Sequence, residues 1–173
     1  MDNLFDIVSN DYVRTYTALA GFLISIINSI YLISINTFNI NLIQKSYAFC
    51  ENEYKHPAYF EFAIENNSRL QLSLSRMFLY VNDRKFEFKW EKERIGRTEF
   101  KSGDRLIEGY STYSLTLPQS IPGLGVIGGF FYVETDKSIT EREFINSKVY
   151  VEICTNRGNK KFKIDPLSLP VHL

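Results

Sequence analysis

The sequence predicts a two-sheet β-sandwich carried behind one transmembrane helix, on three observations. Residues 15–44 contain no charged side chain, and the centre of that run, residues 18–35, is almost wholly apolar. Beyond Lys45, about seven short segments alternate apolar with polar residues between turn signals, the pattern of strands with one buried face. No segment of that second part carries a convincing helical period, so the domain reads as all-β. The chain divides into an N-terminal tail (1–14), a transmembrane helix (15–36), a linker (37–46), a β-sandwich domain (47–165) and a C-terminal tail (166–173).

The helix is argued from length and energy. At a rise of about 1.5 Å per residue, roughly 20 apolar residues cross a hydrocarbon core about 30 Å thick. Ten of residues 18–35 are Leu, Ile or Phe, each favouring insertion near the helix centre by roughly 0.3–0.6 kcal/mol. Their sum outweighs Ser25, Asn28, Ser29 and Ser34. A buried helix within a globular fold is the bland alternative, but helices apolar all round belong to membranes or to large cores, and this chain has 173 residues. A cleaved signal peptide fits less well: Asp2, Asp6 and Asp11 stand against Arg14 in the leading segment, and no Ala-x-Ala site comes after the apolar run. Gly21, Ser25 and Ser29 recur at four-residue spacing with Asn28 beside them, a small-residue stripe of the kind that lets membrane helices approach. Homo-oligomers through that face are one expectation, and incidental serines the other. Arg14 before the span and Lys45 and Lys55 after it lean towards a single-pass protein with a cytoplasmic domain.

The strands come in order. Residues 59–65 alternate, Leu70, Leu72 and Leu74 lead through a bulge to residues 77–81, and Asn82-Asp83 makes the turn to Phe86, Phe88 and Trp90. Tyr113, Leu115 and Leu117 form a strand that Pro118 stops. Residues 130–134, 149–155 and 161–164 complete the set, the last two joined by Asn156-Arg157-Gly158-Asn159, a hairpin signal.

The segment Glu65-Asn66-Asn67-Ser68 with residues 70–81, the Leu115-Thr116-Leu117-Pro118 strand end, and the closing hairpin from Val149 to Ile164 resemble immunoglobulin-like sandwiches. In particular they are similar to uncharacterised small bacterial or prophage membrane proteins with an N-terminal span. The resemblance implies an immunoglobulin-like β-sandwich in a membrane setting and carries no catalytic residues. The chain lacks the Cys, Trp, Cys arrangement of antibody domains, because Trp90 does not sit between core cysteines at their usual spacing.

Sharper motifs compete with plainer readings. Gly123-Leu124-Gly125-Val126-Ile127-Gly128 matches the dinucleotide fingerprint, but prolines precede it and the β-prone residues 130–133 come where a helix is required. No cofactor is expected. Residues 121–131 carry no charge, so Leu124, Val126 and Ile127 are candidates for a membrane-contact loop, with a loop folded over the end of the core as the plainer option. Residues 84–97 mix cations with acids, and the chain balances 20 Lys and Arg against 20 Asp and Glu, so nucleic acid is not an expected partner. Arg157, Lys160, Lys161 and Lys163 form a basic hairpin suited to anionic lipid or to protecting an edge strand. Acid pairs Glu51 with Glu53 and Glu141 with Glu143 read as strand surface charge. The histidines, His56 and His172, offer no metal-ligand spacing.

Cys50 and His56 would stand about 20 Å apart on extended chain unless a turn at Pro57 intervened, and no enzyme is expected. Cys50 and Cys154 pair only if the domain is exported; two buried thiols are the alternative. Two functional readings remain. One is a membrane-anchored interaction module with a protein partner. The other is a membrane-active or membrane-regulating small protein that works on the lipid bilayer through its span and loop 121–131.

Overall fold

The computed structural model describes residues 11–50, 56–102, 105–136 and 139–166. Glu51, Glu53, Lys55, His172, residues 1–10 of the tail and the last seven positions lie outside the described residues. The chain forms two units, residues 1–37 and 38–173.

The first unit is one helix, α1 (Asp11–Asn36), of 26 residues. It is long and apolar enough to cross a membrane, and none of it is buried. Helical residues are described from Asp11, four positions before the uncharged run. Three of its hydroxyls bond within the helix: Thr15, Thr17 and Ser29 donate to the carbonyls of Asp11, Val13 and Ser25 at 2.7–2.8 Å.

The second unit is a sandwich of antiparallel sheets. One sheet has the order β1 (Ile40–Phe49), β2 (His56–Asn66), β8 (Val126–Thr135). The other runs β10 (Gly158–Ile164), β9 (Val149–Thr155), β3 (Leu72–Val81), and the far edge of β3 is shared by two short strands, β4 (Arg84–Glu87) and β7 (Gln119–Ile121). Among the described residues, strands β5 (Arg94–Ser102) and β6 (Arg105–Tyr113) pair only with each other. A single turn of helix, α2 (Glu141–Ile145), is capped by Thr140, whose side chain accepts from the Glu143 N–H.

Alternation explains the strands. In β3, Leu72 and Leu74 face the core, and then Met77, Leu79 and Val81 do. The switch from even to odd positions is a bulge between Leu74 and Arg76 in the pairing with β9. Ala58, Phe60, Phe62 and Ile64 of β2 meet Phe131 and Val133 of β8 in an aromatic core. Phe144 of α2 completes it, 4.9 Å from the Tyr47 ring and 5.1 Å from Phe49.

One side of the sandwich is closed by chain that passes between the sheets. The Phe88 N–H donates to Met77 of the β3 sheet at 3.0 Å, and the next N–H, of Lys89, donates to Tyr132 of the β8 sheet at 2.8 Å. Leu115 likewise donates to Phe130 at 2.7 Å before β7 rejoins β3.

Four expectations are corrected. The linker of residues 37–46 contains the start of β1, which pairs Ile40 with Asn66, so the domain begins near Phe38 rather than at residue 47. Tyr113, Leu115 and Leu117 are not one strand: β6 ends at Tyr113, and the next residues cross between sheets. Trp90 lies beyond β4, not in it. Glu141 and Glu143 belong to the first turn of α2, not to a strand, and Glu143 forms an ion pair with Arg84.

Candidate functional site

The β3 bulge and the divided edge beside it create an open groove of about 850 Å³. β7 covers β3 at residues 72–74 and β4 covers it at residues 78–81. Ser75 and Arg76, between those coverings, line the groove with Phe86, Phe88, Leu117 and Pro118. Ser75 is held by a hydrogen bond to the Cys154 carbonyl at 3.0 Å. At the rim stands Trp90, the one tryptophan of the chain, 70% exposed.

Four of the charges on the groove are paired. Arg76 donates from Nε and Nη2 to the two oxygens of Glu87, at 2.6 and 2.8 Å, a bidentate pair. Those hydrogen bonds hold the Glu87 carboxyl below its ordinary range and raise Arg76 further. Lys89 pairs with Glu134 at 2.9 Å. Glu134 also accepts from Tyr132 at 2.7 Å, and the Tyr132 hydroxyl is pushed far up, by burial first and by Glu134 second. Lys85 sits 3.8 Å from the centre of the Phe78 ring. The groove thus offers an apolar floor, an exposed indole and pre-oriented groups of both signs.

The sequence candidates fall elsewhere. Gly21, Ser25, Asn28 and Ser29 lie on α1, where a Cβ on Gly21 would meet nothing within 4 Å. The glycine-rich loop leads into β8 rather than a helix, so the dinucleotide context is absent. At its tip Leu124 is 68% exposed and Val126 59% exposed, while Ile127 is half-buried and packs against the core. Of the basic hairpin, Lys161 covers the Tyr80 ring at 3.7 Å, and Lys160 donates to the Ile40 carbonyl at 2.6 Å.

The chain turns back near Pro57, the alternative to an extended Cys50–His56 stretch: the Cys50 N–H donates to the Pro57 carbonyl at 2.9 Å. Burial nonetheless pushes the Cys50 thiol up, away from a reactive thiolate. Cys154 is raised as well, by burial first. Both cysteines are free. Among the described residues no three His, Cys, Asp or Glu side chains gather where a metal ion would fit.

Sequence reasoning missed the groove. Its one visible signal was Trp90 set in Lys89-Trp90-Glu91-Lys92-Glu93, since an indole flanked on both sides by charges sits poorly in a core.

No protein-family model matches the chain, and no curated protein matches it in sequence. Among solved structures, the chain is similar to the X-ray structure of Northeast Structural Genomics Consortium target SoR45, at 11% identity and a TM-score of 0.33, covering 80% of this chain and 93% of that one. It is also similar to a GH20 exo β-N-acetylglucosaminidase from Vibrio harveyi in complex with N-acetylglucosamine, at 11% identity and a TM-score of 0.28. There the match covers 78% of this chain and 19% of the hydrolase. At these scores neither bears on function.

Proposed function

We propose that the protein is a membrane-anchored interaction module: α1 is a single-pass anchor, and the groove beside Trp90 takes a segment of a partner protein. The exposure of Trp90 over a formed groove carries this reading. A large indole at the surface presents apolar area to water, and such residues supply most of the energy of protein interfaces when covered. The surrounding ion pairs fit a polar rim, already ordered before the partner arrives. No catalysis is expected, because Arg76 is paired with Glu87 and Lys89 with Glu134 in the groove and both thiols are shifted away from reactivity. The free thiols and the cations Arg14 and Lys45 support a domain on the cytoplasmic side.

The test is a photo-crosslinking amino acid in place of Trp90 in the full-length protein, expressed in its membrane. A discrete protein adduct, lost when Arg76→Glu is added, is the expected result. Absence of an adduct, with the protein folded and in the membrane, overturns the reading. The lone tryptophan supplies a second readout, since its emission shifts to shorter wavelength when the partner covers it.

A further inference from the structure

Four pieces of chain meet at the end of the sandwich where β1 begins. Asn67 donates from its N–H to the Asn39 carbonyl at 2.8 Å, Asn66 donates to Gly125 at 2.8 Å, and Leu124 donates to Ser68 at 2.9 Å. Arg157 reaches the Ser68 hydroxyl at 3.1 Å. This end therefore carries residues 38–41, 65–72, 121–126 and 155–160 together. Its outward apolar side chains are Leu70, 47% exposed, with Leu124 and Val126. Its charged residues are the cations Arg69, Arg157 and Lys160 and the single acid Glu65, the last held by Asn41 at 3.1 Å.

Leu124 is the sharper observation. Its φ is +54°, in the left-handed region where a side chain crowds the backbone at a cost of roughly 1–2 kcal/mol. Glycine or asparagine would sit there at less cost. The loop is held close by Gly123, where a Cβ would fall 1.8 Å from the Arg69 carbonyl oxygen. A strained leucine on a tightly fixed loop, directed outward, contributes nothing to the core. Any burial of its side chain would come from outside the domain.

We propose that this end is a lipid-contact surface, seated on an anionic bilayer by Leu70, Leu124 and Val126 with Arg69, Arg157 and Lys160 around them. The proposal rests on α1 being a membrane anchor. Only residues 37–39 separate α1 from β1, a reach of about 10 Å at full extension. The end bearing Asn39 is thus tethered to the surface that the helix enters, whatever the tilt of the domain. Apolar side chains enter the interface while cations attract anionic headgroups, by about 1 kcal/mol for each cation near the surface. A fixed seat of this kind would hold the Trp90 groove in one orientation towards its partner.

The experiment uses the full chain in vesicles of phosphatidylcholine with or without phosphatidylserine, some lipids carrying a nitroxide near the headgroup. In a Trp90→Phe background, Val126→Trp supplies a single fluorescent reporter, and Leu70→Trp a second one on the neighbouring loop should the first fail to fold. Both reporters are expected to lose emission to the nitroxide and to shift to shorter wavelength. Arg69→Glu weakens that quenching in phosphatidylserine vesicles and leaves it unchanged without the anionic lipid. Unquenched reporters in protein that survives an alkaline carbonate wash overturn the lipid contact and leave the anchor standing. Release of the protein by that wash overturns both.

Discussion

The side-chain amide of Asn66 donates to the Pro122 carbonyl at 2.9 Å, across 56 positions of chain. The same nitrogen reaches the Leu70 carbonyl at 2.8 Å, and the amide oxygen accepts from the Ser68 N–H at 3.0 Å and hydroxyl at 2.8 Å. Asn66 is 1% exposed, so a single buried amide ties the two loops that present Leu70 and Leu124. Asn66→Ala removes one donor from each of those carbonyls and the acceptor of the buried Ser68 N–H, and is expected to cost about 1–3 kcal/mol. Asn66→Asp is expected to cost more, since a carboxylate faces acceptors that it cannot bond. Urea unfolding of the two variants checks the order, and equal effects would refute it.

Phe144 reaches the core from one turn of helix. Phe144→Ala is expected to destabilise by about 3–5 kcal/mol through the cavity left among Tyr47, Phe49 and Phe60. Phe144→Leu should recover much of that loss. Denaturant midpoints measure both, and a neutral Phe144→Ala would show that α2 does not close the core.

The Arg76–Glu87 pair makes a signed prediction for pH. The folded carboxyl lies below the ordinary glutamate value of 4.5, held there first by its hydrogen bonds from Arg76. Its contribution is therefore complete above that ordinary value and is lost as pH falls through the lower, folded one. Because Glu87 is about half exposed, solvent screening keeps the contribution small. Carboxyl NMR titration should place the Glu87 midpoint below 4.5, and Arg76→Gln should raise it.

Two free thiols are expected when the protein is denatured and alkylated without reductant. In the native state both should react slowly at pH 7 and faster only as pH approaches and passes 9, since burial raises each above its ordinary value of 9.0. A mass two protons lighter, with no adducts, would instead reveal a disulfide.

Leu23→Arg together with Ile27→Arg is expected to release the protein from membranes. Each arginine near the helix centre costs roughly 2.5–3.5 kcal/mol, against the roughly 3–6 kcal/mol that the Leu, Ile and Phe residues contribute in sum. Retention of the double variant in the carbonate-washed pellet would count against a spanning helix.

Much of the fold was legible because local pattern reports burial. The phase change from Leu74 to Met77 announced the β3 bulge, and Asn156-Arg157 marked the hairpin that joins β9 to β10. The start of β1 was hidden because Ile40 and Leu42 lie in the uncharged stretch that continues from the helix to Gln44. The β5–β6 hairpin was missed because Arg97-Thr98-Glu99 is an unbroken polar stretch, leaving no period to read. Leu124 and Val126 were legible as an uncharged loop, whereas the core contact of Ile127 was not.

From residue order alone come the apolar helix, the all-β character of the domain behind it, and the core face of strands such as β3. Each depends on residues a few positions apart, because side chains repeat every 3.6 positions in a helix and every two in a strand. Only the tertiary structure decided that residues 88–89 and 115–121 pass between sheets, that a groove opens where β4 and β7 divide one edge, and that Asn66 gathers two loops beside the entry of the chain. Those features join backbone groups tens of positions apart, and such pairings are selected by the packing of the whole core rather than by any local repeat.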